Sequence, residues 1–302
     1  MDITMYDVII LGSGPAGLTA ALYVARANKS VIVLGGATLG GQMSQIPKLE
    51  NYPGWSGDGM GLAEFMKKQA ESFGAKIVPV SAKSVDGDVE SGFNVAGDDG
   101  KNYVGRTLIF ATGASPRKLE IDGAKELVGR GVSYCATCDG FFYYGKDVMV
   151  LGGGNTALND ALYLADIAKN VKIVYRKGSF FRAEEVLRNR ISERENIECL
   201  FNTDLKMVAA VPDSDKLTVT TTDDKKIVVD GLFVAIGHEA NTDYLDEGIA
   251  RDDIGRLISG ELPVGTFVAG DVRSNVKMQV ATAVGTGCTA AMDAIAYLNS
   301  HE

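Results

Sequence analysis

The sequence predicts an α/β fold of two similar units, each around a central, mainly parallel sheet, with the second unit inserted into the first. Three observations carry that prediction. A short apolar run enters a glycine-rich turn and then a helix-like stretch at Gly12, and the same pattern returns at Gly152. A further echo pairs Ile109-Phe110-Ala111-Thr112-Gly113 with Phe233-Val234-Ala235-Ile236-Gly237, each closing its unit with an apolar strand and a glycine turn. The chain has 302 residues, long enough for two domains, and its 46% hydrophobic content is enough to build their cores. The expected division is a discontinuous outer domain, residues 1–115 and 243–302, around an inserted domain, residues 116–242.

In chain order, Tyr6-Asp7-Val8-Ile9-Ile10-Leu11 is apolar and β-branched and reads as a buried parallel strand. It leads into Gly12-Ser13-Gly14-Pro15-Ala16-Gly17 and a helix running from Leu18 to Arg26. This is Gly-x-Gly-x-x-Gly in the strand, turn and helix context of a Rossmann-like dinucleotide site. The first glycine permits the turn, the second lets backbone approach a pyrophosphate, and the third lets helix and strand pack closely. The helix N-terminus then faces the anion. The next strand, Ser30-Val31-Ile32-Val33-Leu34, runs into Gly35-Gly36 where an acid would usually hold a ribose, so this site rests on its other contacts.

Ser133-Tyr134-Cys135-Ala136-Thr137-Cys138-Asp139-Gly140 follows. Two cysteines at this spacing can close a small disulfide ring, and an acid beside the second can handle the proton that thiol chemistry moves. A zinc site needs four ligands, and none of Cys199, Cys288, His238 and His301 sits in a second ligand pair. A purely structural disulfide is the other alternative, although so short a loop restricts the unfolded chain little. Cys199 and Cys288 read as ordinary buried thiols. A dithiol next to a nucleotide site favours the redox reading.

In the inserted unit, Asp147-Val148-Met149-Val150-Leu151 enters Gly152-Gly153-Gly154-Asn155-Thr156-Ala157, where alanine replaces the third glycine. The following strand, Val171-Lys172-Ile173-Val174-Tyr175, ends in Arg176-Lys177, with Arg182 close behind. Cations at this position welcome a 2′-phosphate and point to NADP rather than NAD. The alternative is a solvated basic turn before a helix from Glu184.

The net charge of −9 argues against nucleic acid or an anionic membrane as the main partner. No apolar run reaches the length of a membrane span, and no basic and apolar leader precedes the first strand. With a single paired Cys motif, a reducing cytoplasm is the expected compartment.

Taken together, these motifs resemble the low-molecular-weight thioredoxin reductases, from about Tyr6 to Leu298. The resemblance also covers Gly40-Gly41-Gln42, Glu50-Asn51-Tyr52-Pro53-Gly54, Ala111-Thr112-Gly113-Ala114, Phe180-Phe181-Arg182-Ala183-Glu184 and Ala269-Gly270-Asp271-Val272. It implies that the outer segments bind FAD and the inserted domain binds NADPH. The FAD pyrophosphate would lie on Gly12, Gly14 and the helix after them, with Asp271 on the ribityl chain. Gln279-Val280 would face the pyrimidine end of the flavin, and Gln42 and Asn51 would line it. By the same resemblance Cys138 faces the flavin, Cys135 attacks the disulfide of a thioredoxin-like partner, and Asp139 moves the proton. The alternative for Asp139 is a helix cap at a turn. Homodimers and rotation of one domain against the other are usual in the family. The crossings near Ser115-Pro116-Arg117-Lys118 and Glu239-Ala240-Asn241-Thr242 fit a pivot.

The chain departs from the family pattern in several places. Tyr175-Arg176-Lys177 stands where His-Arg-Arg is common, with one extra residue before Arg182. Asn159 replaces a Glu after the second glycine turn, and Lys277-Met278-Gln279 stands where many members have Arg-Gln. These departures leave NADH, reduced deazaflavin and ferredoxin open as alternative donors. The rival functions are reduction of another carrier (the absence of an N-terminal carrier domain arguing against a fused form), a flavin-dependent dithiol oxidase, and a non-enzymatic flavin redox sensor.

Overall fold

The computed structural model describes residues 4–46 and 48–301. The chain divides into two compact units, one running to Ser115 and resuming at Glu239, the other Pro116–His238. The return crossing thus falls between His238 and Glu239, where the sequence expectation put it between Thr242 and Asp243. Positions 1–3, 47 and 302, which the expected outer domain includes, lie outside the described residues.

In the first unit the strand Met5–Leu11 lies between Val31–Leu34 and Asn102–Phe110, parallel to both, with Lys76–Val78 extending the parallel edge. Val8, Ile9, Ile10 and Leu11 are buried on both faces, which is why this strand is a continuous apolar run rather than an alternating one. Each such side chain contributes about 1.5–3 kcal/mol on burial. The strand Asn102–Phe110 is shared along its length. Its first half pairs antiparallel with Gly92–Gly97, and its last three residues pair parallel with Thr266–Val268. Ala82–Asp88 completes an antiparallel limb that the sequence reading did not contain.

Two helices cover one face. Pro15–Arg26 follows the first glycine turn, with proline in its first turn where a missing N–H costs nothing. Val280–Ser300 packs on it through Gly287, where an added Cβ would lie 2.2 Å from the Ala16 carbonyl oxygen. That approach explains why the last helix carries small residues on its buried side, including Ala283, Ala290, Ala291 and Ala294.

The second unit repeats the plan. Its five-stranded sheet runs Ile197–Phe201, Asn170–Tyr175, Asp147–Leu151, Gly231–Val234 and Val132–Ser133, all parallel. A separate antiparallel sheet of Leu205–Ala210, Leu217–Thr221 and Lys226–Val229 packs on it through Val208, Leu217 and Val219. The two echoed segments hold equivalent places: Phe110 pairs with Leu11 in one unit, and Val234 with Leu151 in the other. The fold is therefore the α/β arrangement of two Rossmann-like units that the repeated motifs predict. Among the described residues, no helix is long and apolar enough to cross a membrane.

Candidate functional site

In the first unit, three glycines of one turn do three different things. Gly12 has φ +111°, and a Cβ there would sit 2.2 Å from the Ala111 carbonyl oxygen. A Cβ on Gly17 would sit 1.9 Å from the Gly12 carbonyl oxygen. Gly14 differs: the only atom within 4 Å of its missing Cβ is the Gly40 carbonyl oxygen, at 4.0 Å. It is also the N-cap of the Pro15–Arg26 helix, with no side chain capping the first turn. Open space above uncapped N–H groups fits the pyrophosphate of a dinucleotide.

Of the other residues expected in this unit's site, Gly41 and Gly270 lie against this turn, while Gln42, Asn51 and Gln279 make contacts of their own. The Gly40 N–H donates to the Ser13 carbonyl oxygen at 2.9 Å, bringing Gly41 against Gly14. Gln42 donates through Nε2 to the Ala114 carbonyl oxygen at 2.8 Å, and Asn51 Nδ2 donates to Gln279 Oε1 at 3.0 Å. Gly270 has φ +74° and lies against Ala16, and its N–H donates to Thr286 Oγ1 at 2.9 Å. Gln279 is the N-cap of the last helix, which starts at Val280. Asp271 accepts no hydrogen bond among the described residues. Burial pushes its carboxyl up, and the nearby positive charge of Arg256 pulls it back. An unpartnered, half-buried carboxylate fits the hydroxyls of a ribityl chain.

Thr112 is fixed by Asn241, which the sequence expectation put in the inserted domain, and by Tyr244. Its Oγ1 donates to the Asn241 carbonyl oxygen at 2.7 Å and meets the Tyr244 hydroxyl at 3.3 Å. Asn241 in turn donates to the carbonyl oxygens of Gly113 through N at 3.0 Å and Thr112 through Nδ2 at 2.9 Å. The Ser115 hydroxyl donates to its Oδ1 at 2.7 Å. Asn241, expected in a pivot, is therefore a staple of the first unit.

In the second unit, a Cβ on Gly152 would lie 2.2 Å from the Ala235 carbonyl oxygen and 3.0 Å from Ala157 Cβ. This reproduces the contact of Gly12 with Ala111. A Cβ on Gly154 would meet nothing within 4 Å, and Gly154 caps the Asn155–Ala165 helix without a side-chain hydrogen bond. Thr156 is exposed in its first turn. Asn155 grips Glu184, donating from Nδ2 to Oε1 at 2.6 Å and accepting from the Glu184 N–H at 2.8 Å. Tyr175 packs its ring on Gly153 and stacks on Phe180 at 5.9 Å, so it is a packing residue here. Arg176, Lys177 and Arg182 are exposed, and among the described residues none of the three makes an ion pair. Arg182 rests its guanidinium 5.4 Å from the centre of the Phe181 ring.

Cys135 and Cys138 are joined in a disulfide, with an S–S distance of 2.09 Å. Cys135 is the N-cap of the short helix Ala136–Asp139, and its Sγ accepts from the Cys138 N–H at 3.2 Å. A backbone donor on sulfur favours the thiolate once the bond is opened. Asp139 does not cap a helix through its side chain. Its Oδ2 accepts from the Ser133 hydroxyl at 2.6 Å, and Ser133 Oγ accepts from the Cys135 N–H at 3.0 Å. Ser133 is buried on the edge strand Val132–Ser133, so the sheet holds acid and dithiol in one network. Gly140 lets this segment close on Tyr163 and Leu164 of the Asn155–Ala165 helix.

Beside the disulfide, Phe141, Phe142 and Tyr144 are 79%, 69% and 76% exposed, an apolar patch of the kind that marks a docking surface. The sequence reading passed over them, although a run of aromatics straight after Cys-x-x-Cys was there to be seen. Two other expectations change. Cys199 and Cys288 are half-buried rather than buried: Cys199 has its thiol pushed up by burial, and Cys288 contacts the Met292 sulfur at 3.9 Å.

Residues 6–287 match the pyridine nucleotide-disulphide oxidoreductase family. The chain is 40% identical over 308 residues to a thioredoxin reductase of Streptomyces clavuligerus, covering 97% of this chain and 94% of that one. The chain belongs to the thioredoxin reductase family. A Mycobacterium leprae relative called a bifunctional thioredoxin reductase/thioredoxin is 39% identical over 313 residues, covering 99% of this chain and 67% of its own length. The Lactococcus lactis thioredoxin reductase structure superposes with a TM-score of 0.90 at 32% identity, covering 98% of this chain and 99% of that one. In a family of thioredoxin reductases, the close Cys135–Cys138 pair fits a redox disulfide.

Proposed function

We propose that this chain is a thioredoxin-disulfide reductase, passing electrons from NADPH through FAD and the Cys135–Cys138 disulfide to a thioredoxin-like protein. The observation that carries the reading is the disulfide tied, through Ser133, to the carboxylate of Asp139. Bound FAD supplies a carrier that takes a hydride from the nicotinamide and delivers an electron pair to a disulfide. In the first unit, Gly12, Gly14, Pro15, Ala16 and Gly17 would hold its pyrophosphate. Gly41, Gln42, Asn51, Ala111, Thr112, Gly113, Gly270, Asp271, Gln279 and Val280 would hold the rest. In the second, Gly152, Gly154, Asn155, Thr156 and Ala157 would hold the donor's pyrophosphate. Arg176, Lys177 and Arg182, lacking acid partners, favour a 2′-phosphate and hence NADPH over NADH.

The dithiol chemistry follows from the local contacts. Once Cys135 and Cys138 are reduced, the Cys138 N–H stabilises the Cys135 thiolate. That thiolate attacks the partner's disulfide, forming a mixed disulfide and releasing one partner sulfur as a thiolate, which takes up a proton. Cys138 then attacks Cys135, re-forming the internal bond and releasing the second partner thiol. Asp139, oriented by Ser133, holds or moves the proton that Cys138 gives up. Phe141, Phe142 and Tyr144 offer a protein partner an apolar anchor beside the reacting sulfurs. The partner is a thioredoxin, consistent with the double name of the Mycobacterium leprae relative. A homodimer in the cytoplasm completes the reading.

Cys138→Ser tests it. The variant is expected to keep its flavin and to be reduced by NADPH, yet to lose all turnover with thioredoxin. Full turnover in that variant would overturn the dithiol relay.

A further inference from the structure

We propose that Arg256 is a positioning residue of the flavin site, whose guanidinium supplies fixed positive charge between Asp271 and the Met278–Gln279 segment and thereby raises the flavin's reduction potential. The inference rests on the reading that this unit binds FAD. Its starting point is an oddly served cation. A guanidinium has five N–H donors and no acceptor. Among the described residues, the side chain of Arg256 makes one hydrogen bond, from Nη2 to the Met278 sulfur at 3.4 Å. A thioether is a weak acceptor, so most of the hydrogen-bonding capacity of this half-buried group is unused. Its charge nevertheless acts on Asp271, which itself accepts no hydrogen bond among the described residues.

The backbone fixes Arg256 in that place. A tight turn holds it from one side: Asp252 Oδ1 accepts from the Arg256 N–H at 2.9 Å, and the Asp252 N–H donates to the Arg256 carbonyl oxygen at 2.8 Å. The next residue, Leu257, is fully buried and bonds the Asp271 segment directly. Its N–H donates to the Val272 carbonyl oxygen at 2.8 Å, and its carbonyl oxygen accepts from the Ser274 N–H at 2.9 Å. Arg256 is thus held by main-chain bonds between an open carboxylate and the residues that cap the last helix. The Arg256 charge reaches Asp271 without forming an ion pair with it, so both side chains keep hydrogen-bonding capacity for hydroxyls and carbonyls.

Fixed charge here has a consequence for electron transfer. Flavin that accepts two electrons and one proton carries a net negative charge, which a nearby cation stabilises more than it stabilises the neutral oxidised form. Removing the charge should therefore lower the affinity for reduced flavin more than for oxidised flavin. The expected change in that ratio is about tenfold in Arg256→Met, which for a two-electron couple is a downward shift of about 30 mV.

The experiment measures the flavin midpoint potential of the holoenzyme by equilibration with a reference dye, alongside FAD affinity by fluorescence titration. Arg256→Met should shift the potential down, while Arg256→Lys, which keeps the charge, should hold it near the wild-type value. Met278→Glu, which pairs with and neutralises the guanidinium, should also shift it down and serves if Arg256→Met fails to fold. An unchanged potential in a folded Arg256→Met or Met278→Glu protein, or an equal fall in Arg256→Lys, overturns the proposal. Wild-type protein that binds no FAD would instead overturn the cofactor reading on which it rests.

Discussion

Gly14→Ala separates the room left for a ligand from the packing of the fold. Gly14 has φ −69° and ψ 179°, which alanine adopts without strain, and its Cβ would meet no protein atom closer than 4.0 Å. By restricting the unfolded chain, the substitution should stabilise the ligand-free protein by about 0.4–1 kcal/mol. The same methyl group would occupy the space above the first helical turn where the pyrophosphate is expected. Overpacking of that kind costs about 1–3 kcal/mol. At about 1.4 kcal/mol per decade, FAD affinity should fall roughly 5- to 150-fold. Gly12→Ala is the contrast: φ +111° and a contact of 2.2 Å with the Ala111 carbonyl oxygen should unfold or strongly destabilise the first unit. Thermal denaturation of ligand-free protein, with FAD titrated by fluorescence quenching, reads both effects. Wild-type FAD affinity in Gly14→Ala would refute the assignment of this turn to the pyrophosphate.

Three further outcomes follow from the site. Ser133→Ala removes a 2.6 Å hydrogen bond to a carboxylate, worth about 1.5–3 kcal/mol, so thioredoxin reduction should slow tenfold or more at an unchanged rate of flavin reduction by NADPH, measured by stopped flow. Arg176→Ala with Lys177→Ala should raise the KM for NADPH by about tenfold and leave that for NADH nearly unchanged, in steady-state assays. Burial pushes the Asp160 carboxyl up to about 7, so between the ordinary value near 4 and 7 the folded chain keeps a proton that the unfolded chain releases. Stability should fall as pH rises through that window. Asp160→Asn should remove the fall, with a gain on the order of 2 kcal/mol above pH 7 and none near pH 4, read by urea unfolding.

What the sequence made legible was local. Gly12 and Gly152 announce themselves because a strand, a turn and a helix lie within one short stretch, and the turn constrains residue type directly. Cys135 and Cys138 are equally local, and so is the start of the last helix at Gln279. The antiparallel strands Ala82–Asp88 and Gly92–Gly97 were not anticipated: the first is largely exposed and carries little periodic apolar signal, and the second buries alternate residues but offers only Phe93 and Val95 as large apolar ones. Long-range contacts were the other loss. Asn241 is 129 residues from Thr112, and nothing in its surroundings says that it ties a carbonyl and a hydroxyl there. Asp139 sits beside Cys138 in sequence, but the partner that orients it lies on an edge strand whose identity depends on pairing with Gly231–Val234. Tyr175 stands where the family commonly has His, and nothing near it in sequence shows that its ring fills the space that Gly153 leaves.

The central claim is that electrons pass from a nicotinamide donor through flavin and Cys135–Cys138 to a protein disulfide. Anaerobic titration of the yellow protein with NADPH, followed by oxidised thioredoxin, tests it most directly. Bleaching by NADPH and full recovery of the flavin absorbance on adding thioredoxin, with recovery lost in Cys138→Ser, is the predicted result. Flavin that NADPH bleaches but thioredoxin does not restore would contradict the account.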